Sequence, residues 1–199
     1  MNIVLATRNR KKVEELARMF AGSAISFRSL DDFPGSPEVI EDGSTFRQNA
    51  VKKAVVTARH IGCPAIADDS GLEVAALGGA PGVYSARFAG EDASDRNNVT
   101  KVLREMRDIH DVKKRTARFV CCIALALPDG RHKTFTGYAG GAIGKKPKGD
   151  NGFGYDPIFI PRGDTRTFAE MSDAEKDALS HRGKAMKKLF EYLQRLLCE

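Results

Sequence analysis

The sequence has little that would place the protein in a membrane or in an oxidising compartment. No run of about 18 apolar residues occurs, which is the length that a membrane-spanning helix needs. The N-terminus passes from an apolar stretch to basic residues, the reverse of the order in a secretory signal. Only four cysteines are present and none belongs to a C-x-x-C pair, which disfavours a disulfide framework and a zinc site. We therefore expect a cytoplasmic protein with free thiols and no membrane partner.

Tryptophan is absent, and aromatic residues make up 8% of the chain. The formal net charge of +6 suits an anionic partner, either nucleic acid or a phosphorylated small molecule, although so modest an excess is equally typical of a solvated surface. The basic residues are scattered and are not interleaved with aromatic residues that could stack on bases. We therefore expect no nucleic-acid partner.

Strand and helix patterns alternate along the first half of the chain, and a hairpin pattern follows, which predicts an α/β protein with a mixed sheet. Thr45 with Gln48, and Ser172 with Glu175, have the spacing of capping boxes that begin helices. The length of 199 residues allows one large domain or two small lobes. The predicted strands cover residues 2–6, 65–67, 117–127 and 131–142, and predicted helices begin near Arg10, Thr45, Ser94 and Ser180.

The segment from Thr7 to Lys12 is a candidate phosphate-binding loop. It joins the first predicted strand to a helix, and a helix N-terminus attracts anions through its unpaired N–H groups and its dipole. Basic residues at this end would oppose the dipole unless an anion binds there. The segment lacks the glycines of a P-loop, so an ordinary basic helix start is the more common explanation.

Asp68 and Asp69 form a stronger candidate, for a metal site. They follow the strand predicted over 65–67, and open α/β sheets bind ligands at the carboxyl ends of strands, where a turn would let both carboxylates face one crevice. A divalent cation relieves the repulsion between close carboxylates, and oxygen ligands without Cys or His favour Mg²⁺ or Mn²⁺. A purely structural turn fits these residues equally well. Glu41 could supply a further carboxylate, although an acidic residue before a helix more often complements the helix dipole.

Two more segments carry groups that could recognise a base. Phe153 lies between two glycines, which suggests close approach of a ligand to the backbone and a ring free to stack. His181 and Arg182 can donate hydrogen bonds to a carbonyl oxygen or an anion. A tight turn explains the first segment equally well, and exposed surface is the more common explanation of the second. Taken with the phosphate loop and the aspartates, they supply what a purine nucleotide site requires.

Five blocks of the sequence resemble the signature segments of the inosine/xanthosine triphosphate pyrophosphatases. They are LATRNRKKVEEL, EDGSTFRQNAVKKA, IADDSGLEVAALGGAPGVYSARFAG, GFGYDPIF and LSHRGKAMKKL, in the family's order and over nearly the whole chain. The resemblance implies a single pyrophosphatase domain over residues 1–199, with a two-lobed α/β fold, a mixed, elongated central sheet flanked by helices, and a substrate cleft between the lobes. It also implies a homodimer that needs Mg²⁺, for which Mn²⁺ can substitute.

The implied reaction is hydrolysis of ITP, dITP and XTP, which are non-standard purine nucleoside triphosphates, to the monophosphate and pyrophosphate. This reaction would cleanse the nucleotide pool. By resemblance, Asp69 is the catalytic acid–base and a metal ligand, with Asp68 beside it at the metal. The family often has a metal carboxylate at the position of Ile40, and Glu41 is the carboxylate that we expect to replace it. The implied substrate-binding residues are Thr7, Arg8, Asn9, Arg10, Lys11, Lys12, Lys53, Ser70, Phe153, Gly154, Tyr155, Asp156, Lys176, His181 and Arg182.

In the implied mechanism, Asp69 accepts a proton from the attacking water, and lysines neutralise the leaving pyrophosphate. His181 and Arg182 would donate to the purine six-position oxygen, where adenine has an amino donor. Two rival hypotheses are a Maf-like pyrophosphatase, which the GFGYD and SHR segments disfavour, and a non-catalytic nucleotide sensor or nucleic-acid-binding protein. Paired aspartates disfavour the latter because they repel phosphates unless a metal intervenes.

Overall fold

The computed structural model describes residues 2–9, 12–14, 18, 20, 22 and 25–198. For residues 197 and 198 it describes the backbone only. A six-stranded sheet runs in the order β2-β1-β3-β4-β5-β6. β1 pairs in parallel with β2 and β3, whereas β5 and β6 are antiparallel, so the predicted mixed α/β sheet is confirmed. The strands are β1 Asn2–Leu5, β2 Ser26–Ser29, β3 Ala65–Val74, β4 Thr116–Ala126, β5 His132–Ile143 and β6 Phe159–Pro161, and the longer helices are α1 Phe46–Ile61, α2 Asp95–Glu105, α3 Asp173–Leu179 and α4 His181–Cys198.

The chain divides into two compact units, each with its own buried apolar core. The first unit contains Met1–Asp69, Cys121–Gly137 and Lys184–Glu199, and the second contains Ser70–Val120 and Tyr138–Gly183. None of the helices in the described part of the chain has both the length and the apolar character that crossing a membrane requires. The first core includes Ile3, Leu5, Ile66, Ile123, Met186 and Leu189, and the second includes Leu72, Val102, Phe119, Ile158, Phe159 and Phe168.

β3 is much longer than the strand predicted over 65–67. It continues to Val74, with Leu72 and Val74 buried and Glu73 between them partly exposed. Glu73 accepts from Arg118 of β4 at 2.5 Å, so side-chain contacts across the sheet support the extension. The glycine in the Asp-Asp-Ser-Gly sequence is typical of a turn, but here it lies inside a strand. The prediction that Asp68 and Asp69 end a strand is therefore wrong, because both lie within β3.

α1 begins where its sequence predicts, after Thr45. The Thr45 side chain accepts from the backbone N–H of Gln48, and the helix ends at Gly62, whose φ of 74° is left-handed. The reciprocal half of the capping box is absent, because the Gln48 side chain bonds to Ser44 Oγ instead. The small residues predicted to form the buried face of α1 are buried: Ala50, Ala54 and Ala58.

The connection between α3 and α4 is unusually tight. α3 starts with the predicted capping box of Ser172 and Glu175. Ser180 then ends α3 and accepts from the backbone N–H of Gly183 in the first turn of α4. A Cβ on Gly183 would lie 1.8 Å from the carbonyl oxygen of Asp177, so only glycine allows the two helices to approach this closely.

The predicted hairpin is present. β4 and β5 are neighbours in the sheet, and the turn between them is closed by a hydrogen bond from Leu127 N to Arg131 O at 2.9 Å. Gly130 in this turn has a φ of 93°, a conformation that L side chains rarely adopt.

Candidate active site

Acidic and basic side chains meet around β3 in the first unit. Lys53 of α1 donates to Glu41 Oε1 at 2.5 Å and to the Asp68 carbonyl oxygen at 2.7 Å, and its Nζ lies 3.9 Å from Asp69 Oδ1. Lys12 Nζ lies 3.0 Å from Asp68 Oδ1. We call Glu41, Asp68, Asp69, Lys12 and Lys53 the carboxylate cluster.

Asp69 of the carboxylate cluster has a raised pKa. Its side chain is almost wholly buried, and this burial is the main reason why its pKa rises from 3.8 to about 6. Lys53 lowers the pKa, Glu41 raises it, and a hydrogen bond from Asn49 and the charge of Lys12 lower it again. A carboxyl group with a pKa near neutral pH is well suited to accept and return a proton during a reaction.

Lys53 keeps its charge although its side chain is only 12% exposed. Burial would lower its pKa, but the nearby charges of Asp68, Asp69 and Glu41 outweigh burial and raise the pKa above 10.5. The ammonium group is therefore a fixed positive charge among three carboxylates.

Asp68 and Asp69 both act on Lys53, since the charges of the two carboxylates raise its pKa. Asp68 also contacts Lys12, and Asp69 contacts Asn49. The expectation that a turn follows the two residues is wrong, because both lie within β3. Within the part of the chain that the structure describes, no three His, Cys, Asp or Glu side chains form a ready-made metal-binding group.

Glu41 and Asp69 nevertheless fit a divalent cation. One ammonium nitrogen lies within 2.5 Å of a Glu41 oxygen and 3.9 Å of an Asp69 oxygen, so both carboxylates can share a single positive charge. The raised pKa of Asp69 indicates that Lys53 only partly compensates its negative charge. These donors are hard oxygens, the type that Mg²⁺ and Mn²⁺ prefer.

The candidate phosphate loop is ordered by its own side chains. Thr7 Oγ1 accepts from Asn9 N at 3.1 Å, and Asn9 Oδ1 accepts from Lys12 N at 3.3 Å, where the chain becomes helical. Asn9 thus caps the helix start that the sequence predicts. Arg8 is exposed and makes a long contact of 3.5 Å to the Ser36 carbonyl. The predicted phosphate contacts Arg10 and Lys11 lie outside the described residues.

In the second unit, two cations flank the ring of Phe153. Lys176 Nζ lies 4.8 Å and Arg182 Cζ lies 5.3 Å from the ring centroid. Lys176 is also paired with Asp156 at 2.8 Å, and Asp156 accepts from Phe153 N at 2.9 Å. We call Phe153, Asp156, Lys176, His181 and Arg182 the aromatic–cation cluster. Asp156 therefore holds both the ring and one of its cations in place.

The segment that carries Phe153 is anchored on both sides. Tyr155 is buried in the second core, and its hydroxyl donates to the Ser85 carbonyl at 2.8 Å, so its side chain anchors the segment to that core. Gly154 N donates to Asp95 Oδ2 at 2.7 Å. A Cβ on Gly152 would lie 2.1 Å from Asp156 Oδ2, which explains the glycine before Phe153.

Two of the predicted substrate-binding residues, His181 and Arg182, lie in the first turn of α4. Arg182 Nη2 donates to Ser70 Oγ at 2.9 Å, and Ser70 is the residue after Asp69 along β3. His181 lies against Phe119 of β4. The sequence-predicted residues of the second unit are thus brought together by α3, α4 and the Phe153 segment.

The Ham1 family model matches residues 3–192. The chain belongs to the Ham1 family. A protein from Syntrophobacter fumaroxidans named dITP/XTP pyrophosphatase is 51% identical over 94% of this chain and 79% of its own length. A protein of the same name from Desulforamulus reducens is 50% identical over 98% of this chain and 97% of its own length.

Solved structures of Ham1-family proteins have the same fold. A HAM1 protein from Coxiella burnetii matches with a TM-score of 0.91 at 42% identity, covering 98% of this chain and 99% of that chain. The nucleoside-triphosphatase / dITP/XTP pyrophosphatase from Mycobacterium abscessus matches with a TM-score of 0.79 at 46% identity, covering 95% of this chain and 98% of its own. The resemblance inferred from the sequence blocks is therefore confirmed at the level of family and fold.

One residue near Asp69 in this Ham1-family chain escaped the sequence analysis. Asn49 of α1 is 1% exposed, donates to Asp69 Oδ2 at 3.0 Å and accepts from Gly43 N at 2.7 Å. A Cβ on Gly43 would lie 2.6 Å from Asn49 Oδ1, so the glycine permits this contact. The sequence feature that could have indicated Asn49 is its position one helical turn before Lys53, beside the small buried residues of α1.

Proposed function

We propose that this Ham1-family chain acts as one nucleoside triphosphate pyrophosphatase domain over residues 1–199. Its substrates are the non-standard purine nucleotides ITP, dITP and XTP, which it hydrolyses to the monophosphate and pyrophosphate. The names of the relatives support the substrate class. The observation that carries the proposal is the carboxylate cluster, in which the buried Asp69, with a pKa of about 6, lies beside the half-buried, charged Lys53.

Asp69 is the proposed acid–base residue. Its buried carboxyl group lies beside Lys53 and Glu41, where a carboxylate could take a proton from the attacking water. Asn49 holds one carboxylate oxygen, Oδ2, through a hydrogen bond and so restricts rotation of the carboxylate. A fixed orientation reduces the reorganisation that proton transfer would otherwise need.

Glu41 and Asp69, with Asp68 as a third carboxylate, are the proposed ligands of Mg²⁺ or of Mn²⁺ as its substitute. When bound, such a cation polarises phosphoryl oxygens and makes a water molecule more acidic. Lys53 already joins Glu41 to Asp69, which supports these two as the principal ligands. Asp68 is proposed as the weaker ligand, because its carboxylate is already paired with Lys12.

The triphosphate is proposed to bind the segment from Thr7 to Lys12 together with Lys53. Asn9 orders the loop at the helix start, where backbone N–H groups favour anions. Arg8, Arg10, Lys11 and Lys12 add positive charge along this segment. Lys12 and Lys53 would neutralise the charge that develops on the leaving pyrophosphate.

The base is proposed to bind the aromatic–cation cluster, next to the backbone of Gly154 and Tyr155 and the hydroxyl of Ser70. Phe153 supplies a ring for stacking, and Lys176 and Arg182 lie close to it. Donors from His181 and Arg182 would favour the six-position oxygen of hypoxanthine and xanthine and disfavour the amino group of adenine. Guanine shares this oxygen, so it must be rejected through its two-amino group.

The experiment that tests the proposal measures pyrophosphate released from ITP with and without Mg²⁺. We expect Mg²⁺-dependent release from ITP, dITP and XTP and much slower release from ATP and GTP. Absence of release would refute the enzymatic proposal and favour a nucleotide sensor. Faster release from modified pyrimidine nucleotides than from ITP would favour the Maf-like alternative.

Arg182→Ala should relax the preference for ITP over ATP. Because Arg182 is the proposed donor to the six-position oxygen, we expect kcat/KM for ITP to fall at least about tenfold while kcat/KM for ATP changes little. Arg195→Ala, an exposed position of the same helix, is the matched control and should leave both values unchanged. An ITP-to-ATP ratio in Arg182→Ala equal to that of the control would contradict the assignment.

The remaining expectations concern the state of the protein in the cell. We propose a cytoplasmic homodimer that does not bind nucleic acid. Light scattering on the eluting protein measures its mass directly, and a monomer at micromolar concentration would contradict the homodimer. Retention on an anionic DNA column at physiological salt would contradict the absence of nucleic-acid binding.

A further inference from the structure

Phe119 of β4 stacks face to face on His181. The ring centroids lie 4.5 Å apart, and the ring planes are inclined by only 7°. Both side chains are buried, at 6% and 4% exposure. We propose that Phe119 is a positioning residue that fixes the plane of the His181 ring and thereby sets the selectivity for the purine base. This inference rests on the proposed function, in which His181 donates to the six-position oxygen.

The ring plane matters because both imidazole nitrogens make their hydrogen bonds in that plane. The torsion that turns a histidine ring about its Cβ–Cγ bond is broad, so the ring plane is not set by the side chain itself. An aromatic face in parallel contact restricts this rotation, since a turned ring would collide with its neighbour. A donor held in one direction discriminates between an oxygen and an amino group better than a donor that can turn away.

Phe119 can serve as a fixed reference because its own ring is fixed. Phe168 stacks on its face at 6.1 Å between centroids and supports the plane of the ring, whereas Phe159 touches only its edge, at 4.7 Å. Both of these rings are fully buried in the second core. The backbone at His181 is set separately, by the Ser180 cap in the tight connection between α3 and α4. The orientation of the His181 ring is thus determined by Phe119 of β4 and the second core. The position of the His181 backbone is determined by the start of α4.

The test compares Phe119→Met with Phe159→Met. Methionine keeps most of the volume of phenylalanine but has no flat face, so both variants loosen the same core, and only Phe119→Met removes the stack. We expect both to lower Tm by similar amounts. Phe119→Met should lower the ITP-to-ATP ratio of kcat/KM by about tenfold, whereas Phe159→Met should change it less than about twofold. An unchanged ratio in Phe119→Met, or an equal change in both variants, would overturn the proposal.

A second measurement follows the His181 ring without nucleotide. The sequence has four histidines, so their ring signals are few in a proton–carbon NMR spectrum, and the signal lost in His181→Gln identifies His181. Its ring protons should be shifted upfield by the face of Phe119, and the shift should disappear in Phe119→Met and persist in Phe159→Met. Wild-type protein that shows no preference for ITP over ATP would refute the proposed function. Wild-type preference that survives in Phe119→Met would refute only the role of Phe119.

Discussion

Asp69→Asn should lower the turnover of ITP at least about a hundredfold while the protein stays folded and still binds nucleotide. The amide cannot accept the proton of the attacking water, yet its oxygen can still accept the hydrogen bond that Asn49 donates to Asp69 in the wild type. Initial rates of pyrophosphate release in saturating Mg²⁺ measure the loss. Asp42→Asn, an exposed aspartate paired with Lys52, is the control and should retain wild-type turnover. Turnover within about tenfold of wild type would exclude Asp69 as the acid–base residue.

The same substitution should stabilise the protein in buffer without divalent cations. The pKa of Asp69 is about 6 in the folded protein, against 3.8 for an ordinary aspartate. Folding is therefore favoured while the carboxyl group is protonated, and this contribution is lost as the pH rises from about 4 to about 6. At about pH 8 the ionised carboxylate costs up to about 3 kcal/mol, which an uncharged amide avoids. Urea unfolding of both proteins at about pH 3 and about pH 8 checks the sign, since the gain should be nearly absent at the lower pH and full at the higher pH.

Lys53→Met should lower turnover by about two powers of ten. The ammonium of Lys53 contacts Glu41 and the backbone of Asp68 and lies 3.9 Å from Asp69, so its loss removes the cation at the centre of the carboxylate cluster. The charge on leaving pyrophosphate would then develop without this preorganised partner. Steady-state kinetics should show the loss mainly in kcat, because the charge forms in the transition state.

Lys52→Met is the control for Lys53→Met. Lys52 is the preceding residue of α1, but its side chain is 40% exposed and pairs with Asp42, so removing it should change turnover less than about twofold. Lys53→Met should also be less stable than Lys52→Met at about pH 8, because its three carboxylates remain buried or half-buried without their cation. Equal kinetics for the two variants would refute the proposed role of Lys53.

Local patterns predicted the elements that depend on short-range chemistry. The capping residues Thr45 and Ser172 sit at helix starts because a side-chain oxygen can satisfy N–H groups two or three residues away. The turn at Gly130 follows from the conformational freedom of glycine. These interactions connect residues close together in the chain, so the sequence alone contains the information needed to predict them.

The extension of β3 could not be predicted in this way. Its second half is paired within the sheet and supported by contacts such as that between Glu73 and Arg118, which are far apart in the chain. Asp-Asp-Ser-Gly has the local chemistry of a turn, and only the partner strand makes it part of a strand. Asp68 and Asp69 therefore lie within a strand and not in front of a turn.

The sequence itself determined which residue types are available for the proposed purine nucleotide site: paired aspartates, a basic loop, an aromatic ring between glycines, and a His-Arg pair. Only the tertiary structure decided which of these groups touch. It placed Lys53 between Glu41 and Asp69, brought Asn49 to Asp69, and stacked Phe119 on His181. The physical reason is that charge compensation and ring stacking act over a few ångströms in space, whatever the separation along the chain.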